Sequence, residues 1–254
     1  MEMAIFSHAL REYLRIRRLF PWVVLALLCY VLAHFWSRLV PGSAPVDCYA
    51  AVSSLLGFRI LALSSAILTT AILSQEVEGR TIVYLLTRPV PRWKLILIRY
   101  AASVLVVSLL GAIAVFATSW GAFNGHGVNA YLVPDLEAVV AGAMAYGALF
   151  LFVSLLVNRA MVYCLLFAFG WETSIPTLPG DLYRVSIFSY MQGIAQLPHT
   201  KASGVVSMLM GTSEDHTIAP TTACLTLGIL VLGTLALSGW WFSHFEYVPR
   251  EDAE

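Results

Sequence analysis

Charge is scarce in this sequence: Asp, Glu, Lys and Arg make up 12% of its 254 residues, against roughly 25% in a typical soluble domain. Lysine is nearly missing. Its two copies, Lys94 and Lys201, follow Trp93 and Thr200, and neither stands in the Gly-Lys-[Ser/Thr] context that holds nucleotide phosphates. A phosphate-loop ATPase site in this chain is therefore excluded. The six histidines and four cysteines are scattered, without C-x-x-C or H-E-x-x-H spacing, and no G-x-S-x-G occurs. The expectation is a chain with no catalytic residues, no metal site and no cofactor of its own. Fifteen basic and fifteen acidic residues cancel, so no net field draws it to nucleic acid. Gly125-His126-Gly127-Val128-Asn129-Ala130 fits a loose dinucleotide pattern, but it lies between two apolar runs and reads as an exposed turn.

What the sequence does have is apolar length. Hydrophobic residues make up 59% of it and the mean hydropathy is +0.79. A helix needs about 20 mostly apolar residues to cross the hydrocarbon of a bilayer. Six runs qualify or nearly qualify: residues 19–40, 51–74, 101–123, 137–157, 160–178 and 220–242. The reading is an all-α, polytopic membrane protein with six transmembrane helices, a single domain over residues 1–254. The fifth run is the weakest, because Gly170, Glu172, Pro176 and Pro179 interrupt it. Residues 3–18 place Phe6, Ala9, Leu10, Tyr13 and Leu14 at helical spacing opposite Arg11, Arg15 and Arg18, which predicts an amphipathic interfacial helix before Pro21 opens an uncleaved first span.

Orientation follows from Lys and Arg, which stay on the cytoplasmic side of short loops. Cytoplasmic termini put eleven of the fifteen basic residues inside; Arg38, Arg184 and Lys201 fall outside and Arg59 within a span. This topology suits a bacterial or archaeal plasma membrane and leaves Cys48 as the one cysteine reachable from outside. Arg59 inside the second span must face water, a carboxylate or a carbonyl; an ion pair and a place in a substrate path both fit, with Ala62, Ala66 and Thr70 following on the same side. Residues 172–219 are too many for a tight turn and too apolar for a solvated linker. Within them Ile187, Phe188, Met191, Ile194 and Ala195 trace one helical face, and Val205, Val206, Met208, Leu209 and Met210 form a second apolar cluster. Two short helices that re-enter or lie in the outer leaflet are expected there.

Two stretches carry a family resemblance. The run from Glu76 through Glu78, Gly79, Arg80, Thr81, Leu85-Leu86-Thr87-Arg88-Pro89-Val90-Pro91 to Arg92 resembles the E-x-E-x-G-T-x-x-x-L-L-[ST]-R-P-[VI]-x-R segment after the second span of ABC type-2 (ABC-2) permeases, except that Arg80 stands between Gly79 and Thr81. Downstream, Trp171-Glu172, Leu178-Pro179-Gly180, Ser186 and Tyr190 resemble the W-E, L-P-G, S and Y positions after that family's fifth span. Within the family there is a fainter likeness to the permease of the nitrous-oxide-reductase maturation system. The resemblance implies a homodimeric export permease worked by two copies of a separate ATP-binding-cassette ATPase, which holds the ATP and Mg. It also implies a cytoplasmic coupling helix between spans two and three, with Glu76, Glu78, Arg80, Thr81, Arg88, Pro89 and Arg92 at the ATPase contact. A solvated loop on lipid head groups is the alternative for that segment. For the outer helices the expectation is an exit gate across the dimer, with Arg59, Thr70, Glu172 and Met191 on the path or gate; a surface for an extracytoplasmic partner is the alternative. An accessory or scaffold subunit, or a membrane-embedded enzyme, are the other readings of the whole chain.

Overall fold

The computed structural model describes residues 6–7, 10–11, 13–14, 16–39, 44–78, 92–125, 128–157, 159–177, 181–197 and 218–244. Among them the chain is helical, with no strand. Helix α1 covers Ile16–Leu39 and α2 covers Pro45–Val52. A π-helical turn, Ser53–Gly57, joins α2 without a break to α3, Phe58–Glu78. Then follow α4, Arg92–Ala122; α5, Leu132–Leu156; α6, Ala160–Leu166; α7, Ile187–Ala195; and α8, Pro220–His244. Among the described residues five segments are long and apolar enough to cross a membrane: Arg18–Leu39, Pro45–Ala71, Ile96–Ala122, Leu132–Leu156 and Pro220–His244. The chain is a membrane-integral helical protein.

The first and last of these segments are each 22% buried within the chain, whereas Pro45–Ala71 is 72% buried. The second span is therefore the inner member of the bundle, and α1 and α8 turn most of their apolar surface outward. Helix α5 is the hub, packing against α3, α4, α7 and α8. Small residues let these helices approach closely, which is how membrane helices associate where no hydrophobic gain is on offer between them. Leu61 of α3 is fully buried where three helices meet. A Cβ on Gly111 of α4 would stand 2.7 Å from its Cδ1 and 2.7 Å from Val139 Cγ1 of α5, and one on Gly142 of α5 would strike Leu61 and the Met191 sulfur of α7. Neither glycine has room for a side chain.

Several boundaries differ from the hydropathy reading. Pro21 lies inside α1 and does not open it; the helix forgoes the one bond a proline N–H cannot make, to the carbonyl four residues earlier. Of the N-terminal face, Tyr13 is buried and Phe6 and Leu10 pack on the core, so this face rests at least in part on the bundle. The second span begins at Pro45, a proline in the first helical turn followed by Asp47, both favoured at a helix start. Cys48 consequently sits inside a helix at 1% exposure, which corrects the expectation that it faces the outside solution. The fifth run does not form a regular spanning helix. After α6 it passes through a π turn, Phe167–Trp171, one α turn, Glu172–Ser174, and a 3-10 turn, Ile175–Thr177. Pro176 has no N–H to donate to the Glu172 carbonyl, so the α ladder loses a bond there and the chain tightens into the 3-10 turn. A short helix over residues 187–195 is present as α7, and Ile187, Phe188, Met191, Ile194 and Ala195 are all buried. The second apolar cluster, residues 205–210, lies outside the described residues.

Candidate functional site

A carboxylate inside a membrane bundle must find donors or a countercharge, because an unpartnered ion there costs several kcal/mol. Among the described residues two carboxylates are buried, Glu172 and Asp135. Each lies beside a π turn, an irregularity that recurs at functional positions of helices.

Glu172 follows directly on the turn Phe167–Trp171 and is 3% exposed. Its Oε2 accepts a hydrogen bond from Ser186 Oγ at 2.6 Å, and its two oxygens accept from the backbone N–H groups of Ile187 and Phe188, each at 3.1 Å. The Tyr146 phenol of α5 hydrogen-bonds the same carboxylate. Ser186 is the residue before α7; its extended backbone and its Oγ, which accepts from Ser189 N–H at 3.3 Å, cap that helix. The first N–H groups of a helix have no intrahelical acceptor and carry the positive end of its dipole. Glu172 therefore serves as a second cap, supplied from a distant part of the chain, and fixes the start of α7 to the broken end of the fifth run.

Arg59 completes this cluster. Its Nη1 donates to Thr173 Oγ1 at 2.6 Å, its guanidinium lies 5.5 Å from the centre of the Phe188 ring, and Glu172 is near enough to interact with it electrostatically. Phe58 meets the same Phe188 ring edge-on at 6.0 Å. Tyr146 stands near the middle of α5, so the cluster lies at mid-length of that candidate span. Arg59 thus sits beside a hydroxyl, an aromatic face and a carboxylate inside the bundle.

The second carboxylate, Asp135, is fully buried in the first turn of α5. Its Oδ2 accepts from Tyr49 Oη at 2.5 Å and from Ser53 Oγ at 2.6 Å. Tyr49 and Ser53 are four apart and so share a face of the second span, and Ser53 opens the π turn. Phe123 packs on the Tyr49 ring at 5.9 Å. The other oxygen, Oδ1, is buried and has no hydrogen-bond partner among the described residues.

Of the residues singled out from the sequence, Arg59 and Glu172 come together, and Met191, one turn further along α7, is buried against Gly142. Thr70 does not join them. It lies roughly 16 Å further along α3, buried, with its hydroxyl donating to the Ala66 carbonyl at 2.6 Å. Glu76 and Glu78 end α3 and Arg92 begins α4, while Arg80, Thr81, Arg88 and Pro89 lie outside the described residues. Asp135, Tyr49, Ser53 and Tyr146 were not singled out. Pro134-Asp135 before an apolar run reads as an ordinary helix start, and hydroxyls inside spans are common, so only the long-range pairing reveals them.

Among the described residues no group of three His, Cys, Asp or Glu could hold a metal ion. What they can do is hold helix ends in a fixed relation, and release them. No protein-family model matches the chain, and no curated protein matches it.

Proposed function

We propose that this chain is the membrane-spanning permease subunit of an ABC-2 exporter, pairing with a second copy of itself in the plasma membrane and driven by two copies of a separate ATPase. The observation that supports this best is where the family-like segment falls. Helix α3 ends at Glu78 and α4 begins at Arg92, two helices that pack on each other, so the segment joins adjacent spans on one side of the bundle. An ATPase dimer that closes on ATP can bias the spans only through an element pressed against it, and a link between two packed helices moves both. The contact between Glu172 and Ser186 gives the second matched stretch a physical purpose: two of its polar positions bond each other and set the start of α7. In this reading α7 is the outer element that moves when the spans reorient, with cytoplasmic termini as the basic residues require.

The test is to co-express the chain with candidate ATP-binding-cassette ATPase subunits from the same genome and to measure vanadate-sensitive ATP hydrolysis in proteoliposomes. The pair hydrolyses ATP, the permease alone does not, and Glu76→Lys or Arg88→Glu lowers both co-purification and turnover while the permease still inserts. Charged groups that lose a desolvated interface partner cost about 2–5 kcal/mol. Turnover and co-purification unaffected by both substitutions would favour the lipid-surface role for the segment, and stable purification with no nucleotide-binding subunit would favour the accessory-subunit reading.

A further inference from the structure

Asp135 is served on one side only. Its Oδ2 takes two short hydrogen bonds, 2.5 Å from Tyr49 and 2.6 Å from Ser53, in the range where a hydroxyl meets a charged oxygen. Its Oδ1 is equally buried and bare among the described residues. Two neutral hydroxyls do not offset a full charge in a water-poor bundle. No Lys, Arg or His among the described residues pairs with this carboxylate; the titratable group that touches it is the Tyr49 phenol. From the other packed elements, α4 brings Ser119, tied to Asn129 at 2.7 Å, and α1 brings His34, stacked on Tyr30; on α5 itself Glu137 is exposed. Contrast Glu172, whose carboxylate meets four donors with a guanidinium nearby. What the described residues leave without a countercharge at Asp135 is a single carboxylate.

We infer that Asp135, with Tyr49 and Ser53, forms a binding site for one monovalent cation at Oδ1, filled by sodium or by a proton. One carboxylate balances one charge, which disfavours calcium or magnesium. Hard monovalent ions take oxygen ligands, and carboxylate and hydroxyl oxygens are what converge here. The adjacent turn, Ser53–Gly57, adds the means of adjustment. In a π turn the hydrogen bonds reach one residue further than in an α-helix, so its carbonyls are held more loosely and can tilt toward an ion. Filling the site ties the outer ends of the second and fourth spans together through Oδ2 and Oδ1 at once. This inference is independent of the transport reading, since it concerns the chain's own stability.

The full-length chain, purified in detergent, is melted at constant ionic strength in sodium chloride against choline chloride, at pH 8 and again at pH 5.5. With sodium as the ligand, the melting temperature at pH 8 rises by several degrees as sodium replaces choline, and Asp135→Asn abolishes the rise. With a proton as the ligand, acidification in choline gives the rise, sodium adds nothing, and infrared difference spectra show a protonated carboxyl that is absent from Asp135→Asn. Tyr49→Phe keeps the fold and weakens the apparent cation affinity several-fold, which covers the case that Asp135→Asn does not fold. A wild-type chain whose melting responds to neither cation beyond the response of Asp135→Asn and Tyr49→Phe overturns the inference.

Discussion

The end of the bundle where the second span begins and its middle solve the same problem differently. Around Glu172 the chain supplies the whole environment: one serine, one tyrosine, the open end of a helix and a nearby arginine. Around Asp135 the described residues supply two hydroxyls. A carboxylate fully served by its own chain holds structure together, and its strength varies little with solution conditions. One that is half served depends on what the solution contains. The first arrangement suits a latch, the second a sensor.

This contrast is sharpest under substitution of the latch. Glu172→Ala removes the acceptor for four donors and leaves the start of α7 uncapped; breaking a buried charged network by deleting one member costs about 3–5 kcal/mol. Denaturant unfolding in detergent should show a loss of that size, and the Ile187 and Phe188 amides should exchange hydrogen much faster. If those amides stay protected, Glu172 is not what fixes the start of α7. Next in size is Gly142→Ala, which pushes a methyl group into Met191 and Leu61 and should cost about 1–3 kcal/mol by overpacking. Met191→Ala in the same chain should recover part of the loss, and simple additivity in that double-mutant cycle would show that α7 does not rest on α5 there. Arg59→Met should cost about 1–2 kcal/mol, through the lost bond to Thr173 and the lost cation–π contact with Phe188. Asp135→Asn should be the mildest, changing stability by less than about 1 kcal/mol in choline at neutral pH, because Asn keeps an acceptor for Tyr49 and sheds the charge that lacks a partner. A loss as large as that of Glu172→Ala would erase the distinction between the two sites.

The elements visible in the sequence were those set by local composition. Apolar length located five spans, and the spacing of Ile187, Phe188, Met191, Ile194 and Ala195 revealed α7 with its buried face. Hydropathy failed where polar residues belong to a helix because the bundle or a helix start favours them. Pro45 and Asp47 open the second span, Pro134 and Asp135 lie in the first turn of the fourth, and all four fell outside the apolar runs. Cys48 went astray for the same reason. It should resist aqueous thiol reagents in the folded protein, and the exposed Cys224 should be the more reactive once detergent replaces lipid. At the site, Arg59 and Glu172 were legible because ionised groups in apolar runs demand an account. Their partners Thr173, Ser186 and Tyr146 were not legible as partners, since a hydroxyl gives no hint of which distant acceptor it meets.

The π turn in the second span has a geometric consequence as well. Each residue advances an α-helix by about 100°, and a turn that accommodates one extra residue shifts all that follows by that angle. The stretches Pro45–Val52 and Phe58–Glu78 thus behave as two screws on one axis with offset threads. Tyr49 and Ser53 address α5 with the phase of the first, and Arg59 addresses Thr173 with the phase of the second. Regularising the Ser53–Gly57 turn to α geometry with every residue kept would bring the threads into register and swing Arg59 about a quarter-turn away from the latch, whereas deleting one residue there removes the π turn and leaves Arg59 in phase.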